Sequence, residues 1–73
     1  MNIEKQYIEH TIKKMDERVE YLTKSIDSSK DKLAESDEGS YAQGLYQGQI
    51  IALENELSEV KLHIQFLQGA LEN

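Results

Sequence analysis

The chain has 73 residues, no cysteine, proline or tryptophan, and eight basic against fourteen acidic side chains, for a net charge of −6. This excludes a disulfide scaffold. It also excludes a membrane span, which needs about 20 successive apolar residues, and direct binding to a nucleic-acid backbone, which is built from clustered Lys and Arg. A chain of this length reads as one domain over residues 1–73, and ordering it at about 1.5 kcal/mol per residue leaves little margin without a metal or a partner.

The opening MNIEKQYIEH lacks the basic flank and apolar centre of a signal peptide. A cytoplasmic protein is expected, with export by a leaderless route as the alternative. Asn2 can cap a first helix over 3–35 with its side-chain oxygen, and Glu4 suits the positive end of that helix. Ile8, Ile12, Met15, Val19, Leu22, Ile26, Ser29 and Leu33 recur at alternating spacings of four and three, the a/d seam of a coiled coil. Only Ser29 breaks the apolar rule. The remaining positions are largely charged, and Glu9 with Lys13 and Glu20 with Lys24 stand in the favourable i,i+4 order. These charges read as a solvated face.

A turn is expected over 36–40, within ESDEGS. Gly39 suits the left-handed conformation that ends helices, and Ser40 followed by Gln43 has the form of a capping box. Heptad phase agrees with a break, because continuing from Leu33 puts Gln43 at a d position, whereas the next helix needs Tyr46 and Leu53 there.

The second predicted helix, 41–71, opens with YAQGLYQGQIIAL, a run without charge in a densely charged chain. It carries two seams. Tyr46, Ile50, Leu53, Leu57, Val60, Ile64, Leu67 and Leu71 form one. On the opposite side Tyr41, Leu45, Gly48, Ala52, Asn55, Glu59, Leu62, Phe66 and Gly69 repeat with the same spacing, and Gly44 lies beside them. An interior glycine disfavours a helix by about 1 kcal/mol relative to alanine. Either another backbone approaches Gly44 and Gly48 closely, or the helix frays near its start. The candidate interface is therefore Tyr41, Gly44, Leu45, Gly48, Ala52, Asn55, Glu59, Leu62 and Phe66, with Asn55 and Glu59 as polar residues that fix register.

The two core seams fit an antiparallel hairpin in which facing residue numbers add to 79. Leu33 then meets Tyr46, Ser29 meets Ile50, Leu22 meets Leu57 and Ile8 meets Leu71. Tyr46 belongs to this core, and Ser29 either makes room for its ring or bonds its own helix. The fold class is all-α, a coiled-coil-like two-helix hairpin. A hairpin needs one apolar face, so the surplus face predicts a homodimer, a four-helix bundle.

No reaction chemistry is legible. His10 and His63 fall at different levels of the hairpin, opposite Gly69 and Asp16, and do not share a metal. Glu59 and His63 make at most a surface contact. There is no Glu-x-x-His pair of the di-iron kind, no phosphate loop between a strand and a helix and no nucleophile with a base. A non-enzyme without cofactor or metal is expected. Charge is divided unevenly: residues 1–34 hold seven basic and seven acidic side chains, whereas 35–73 hold Lys61 against seven acids. That asymmetry favours a basic protein partner.

The segment YAQGLYQGQIIALENEL, about a quarter of the chain, resembles a pattern in small helical proteins of Gram-positive phages and prophages. The resemblance implies no catalytic residue. Two functions follow from the reading as a whole. One is an assembly module that self-associates through helix 2. The other is a small acidic inhibitor or adaptor, phage-encoded, that occupies a basic and even nucleic-acid-binding site on a host protein.

Overall fold

The computed structural model describes residues 3–72 and consists of two α-helices, α1 (Ile3–Glu35) and α2 (Tyr41–Glu72). The expected cap at Asn2 lies outside the described residues. With no proline to remove a backbone donor, α1 runs unbroken for 33 residues. It closes by a tightened last turn, in which the Ser36 N–H donates to the Leu33 carbonyl at 3.1 Å and the Ser36 hydroxyl to the Lys32 carbonyl at 2.8 Å.

Gly39 has φ 76°, and no other described residue has positive φ. It does not end α1, however. Ser36 has already done so, and Gly39 is the third residue of a separate turn in which the Ser40 N–H donates to the Asp37 carbonyl at 3.1 Å. The Ser40 hydroxyl caps α2 by accepting the Gln43 N–H at 3.1 Å. The Gln43 side chain reaches back one residue further than a capping box requires, accepting the Gly39 N–H at 2.7 Å. The reason is local: the Ser40 N–H is already spent on Asp37.

The helices pack antiparallel along their length in a ribbon of 57 × 15 × 13 Å. Among the described residues Ile12, Leu22 and Ile26 of α1 and Ile50 and Ile64 of α2 are the buried apolar ones, and of these only Leu22 is fully enclosed. The other apolar seam residues from Ile8 to Leu71 are half-buried. Two helices cannot surround a core, since each seam has the partner helix on one side and water on both flanks.

Polar contacts also join the two helices. Arg18 grips Glu56, with Nε donating to Oε2 at 2.7 Å and Nη2 at the same distance. Ser29, buried within the seam, takes neither fate expected from sequence: its hydroxyl donates across the interface to Gln49 Oε1, at a long 3.5 Å. Gln49 precedes Ile50, so its side chain lies at the edge of the seam within reach.

Candidate functional site

Residue type and helical spacing decide what the ribbon presents. In α2 the seam turned toward α1 takes Ile50 and Ile64 inside, and the opposite seam is left in solvent. Tyr41 is 87 % exposed, Phe66 73 %, Leu62 65 % and Leu45 45 %. Gly44, Gly48, Ala52, Asn55 and Glu59 are exposed as well. All nine candidate interface residues are thus exposed and lie outside the hairpin core. Nothing within 4 Å meets a Cβ placed on Gly44 or Gly48. No packing within the chain requires glycine at either position. Tyr46, by contrast, is half-buried in the seam, with the Lys32 ammonium 5.9 Å from its ring centre.

The structure adds apolar residues that the two seams of α2 do not contain. Ile3, Tyr7 and Tyr21 on α1 and Ile51 on α2 are all exposed. Tyr7 and Tyr21 stand two heptads apart, so they occupy the same angular position on α1. Arg18 lies 5.1 Å from the centre of the Tyr21 ring, and Tyr21, Ser25 and Ser28 line one side of a shallow open groove whose other side is Gln49, Ala52 and Leu53. These contacts place Tyr21, Arg18, Glu56, Gln49 and Ala52 on one broad flank of the ribbon.

Heptad spacing extends that flank in both directions. On α1 it carries Tyr7, Lys14, Tyr21 and Ser28, and on α2 Phe66, Glu59, Ala52 and Leu45. Four of the exposed large apolar residues, Tyr7, Tyr21, Leu45 and Phe66, fall here. The opposite flank is set by Glu9, Asp16, Thr23 and Lys30 on α1 and Gln47, Glu54, Lys61 and Gln68 on α2. Ile51 is its large apolar exception. The period-seven recurrence of tyrosine in α1 was the available signal, hidden among charges because two aromatic residues alone do not make a stripe.

Not every outward charge of α1 is merely solvated. Arg18 ties the helices together through Glu56. Glu20 and Lys24 do pair on the surface at 3.0 Å, whereas Lys14 pairs with Glu17 at 3.7 Å. His10 and His63 are exposed. Among the described residues no group of three or more His, Cys, Asp or Glu side chains is placed to hold a metal ion, and no helix is long and apolar enough to cross a membrane. What the arrangement offers chemically is a surface: apolar at its ends, charged in the middle and small-residued along α2.

No family model, curated protein or solved structure matches the chain.

Proposed function

We propose that the protein is a non-catalytic assembly module of the cytoplasm, a helical hairpin that self-associates through the outer side of α2 into a four-helix bundle. The observation that carries this reading is the row Tyr41, Leu45, Leu62 and Phe66, large apolar side chains left in water by a helix whose other side is fully used. Tyr41 with Leu45 and Leu62 with Phe66 make two apolar patches, and apolar patches exposed on a small protein mark a contact with another macromolecule. The accessible surface supports the same reading. It amounts to 5676 Å², against about 4,600 Å² for a compact monomer of 8.4 kDa. Gly44 and Gly48, which no neighbour within the chain requires, suit close approach of a second backbone.

Light scattering at micromolar concentration tests it. Twice the monomer mass of 8.4 kDa is expected. A monomer mass throughout the concentration range would sink self-association and leave the surface to a foreign partner.

Charge favours a second reading, an acidic inhibitor or adaptor of the phage type, whose basic target is held by carboxylates. Glu35, Asp37 and Glu38 gather at the turn, and Glu54 and Glu59 are exposed on α2. Salt separates the two readings. Docking by carboxylates weakens as the Debye length falls from about 10 Å at 0.1 M toward about 3 Å at 1 M, whereas apolar assembly persists.

A further inference from the structure

We propose that two copies of the chain pack α2 against α2 along the seam from Tyr41 to Phe66, antiparallel, in the register where facing residue numbers add to 107. The two turns then lie at opposite ends of the dimer. This rests on the self-association proposed above and names its orientation and register.

Charge along α2 selects the orientation. The run 41–53 carries no charged residue, whereas 54–66 carries Glu54, Glu56, Glu59 and Lys61. In a two-fold contact with the helices parallel, each residue meets its own counterpart, and Glu59, which stands in the seam, meets a second Glu59. Like charges meeting across an interface disfavour that arrangement. With the helices antiparallel about a centre between Leu53 and Glu54, the uncharged half of each α2 lies on the charged half of the other. None of the four charged residues then faces a charged one. Glu59 falls opposite Gly48, which has no side chain to displace. Nothing within the single chain requires glycine there, and this contact does.

Side-chain size then selects the register. The seam has one apolar patch at each end, Tyr41 with Leu45 and Leu62 with Phe66. An antiparallel two-fold sets Tyr41 on Phe66, an aromatic pair, and Leu45 on Leu62, twice over, with Ala52 opposite Asn55 in the middle. Sliding by one heptad sets Phe66 on Gly48 in one direction and Tyr41 on Glu59 in the other. An isologous contact needs a surface complementary to itself, and of these three registers the central one supplies it. Tyr41 is 87 % exposed and Phe66 73 %; at about 150–250 Å² for an aromatic side chain, the four rings of a dimer offer up to about 600 Å². Specific interfaces begin near about 1,200 Å² in total, and Leu45, Leu62 and the small residues between them add to the rings. The contact therefore sits at the small, reversible end of that range.

The chain contains no cysteine, so Glu38→Cys in the exposed turn gives one spin-labelling site per copy. Position 38 stands opposite position 69 of the second copy, and at about 1.5 Å of rise per residue the two labels of a dimer should lie about 45 Å apart. In unlabelled protein Leu45→Glu should weaken the dimer about tenfold or more, and adding Leu62→Lys to the same chain should recover most of that loss, because opposite charges then face each other at both ends. Both leucines are exposed in the single hairpin, so helicity by circular dichroism should stay unchanged in either variant. A dimer whose labels lie within about 20 Å, near the spacing of packed helices, overturns the antiparallel orientation but leaves self-association standing. A dimer indifferent to Leu45→Glu overturns the seam, and one weakened by it but not rescued by Leu62→Lys overturns the register. A monomer under all conditions overturns both this inference and the function it rests on.

Discussion

Among the described residues Leu22 is the large side chain that water does not reach at all, and removing its isobutyl group opens a cavity that a two-helix core cannot collapse around from behind. Leu22→Ala should cost about 2–5 kcal/mol, read as a fall in denaturation midpoint at unchanged slope. Leu57, half-buried at the same level, should fall at the low end of that range. An unchanged midpoint for Leu22→Ala would refute the facing arrangement. Gly39 shows the opposite kind of constraint. A Cβ there meets nothing within 4 Å, yet φ is 76°, so Gly39→Ala is strained by its own backbone and should destabilise by about 1–2 kcal/mol. Ser40→Ala removes the acceptor for the Gln43 N–H and should cost about 0.5–2 kcal/mol. Thermal melts followed by circular dichroism resolve both effects.

At the scale of the helix, Gly48 separates what the single chain needs from what association needs. No neighbour crowds it, so Gly48→Ala should stabilise the hairpin by up to about 1 kcal/mol. Gly48→Leu should keep the helicity while shifting the proposed dimer toward monomer, because the larger side chain blocks the close approach of a second backbone. A variant with wild-type mass at every concentration would show that this side of α2 is simply solvated. The helices and their facing seams were legible in the sequence because a 3.5-residue repeat without proline admits few alternatives, and the phase slip at Gln43 located the turn. Three features were not legible. The Arg18–Glu56 bond depends on which flank position reaches across, and periodicity alone does not distinguish a tethering arginine from a solvated one. Ser29 found a partner on the other helix because Gln49 is long enough to reach it. The aromatic row of α1 needed the relative rotation of the two helices before Tyr7 and Tyr21 could be joined to Phe66 and Leu45 on one flank.

For the molecule as a whole, thinness is the controlling property. A ribbon 13 Å deep holds one layer of side chains between two helices, which is why so few of them are buried and why a second layer has room to improve stability. Association should then raise the melting temperature with protein concentration, as any binding to the folded state does. A melting temperature independent of concentration across two decades would argue that the hairpin stands alone. High salt should leave that concentration dependence largely in place if the apolar ends carry the contact, and should erase it if carboxylates do.

The single connection between the helices also orders events in time. Leu33 and Tyr46, next to the capped turn, are separated by 13 residues of chain, whereas Ile8 and Leu71 at the open end are separated by 63. Closing the longer loop from the unfolded state costs about 1.4 kcal/mol more in chain entropy. Contacts beside the turn are therefore expected to form first, with the rest closing toward the termini like a zip. Amide hydrogens of the native protein should exchange in the reverse order, fastest near Ile8 and Leu71 and slowest in the half nearer the turn around Ile26 and Ile50. Joining the open end by a disulfide between introduced cysteines should flatten that gradient.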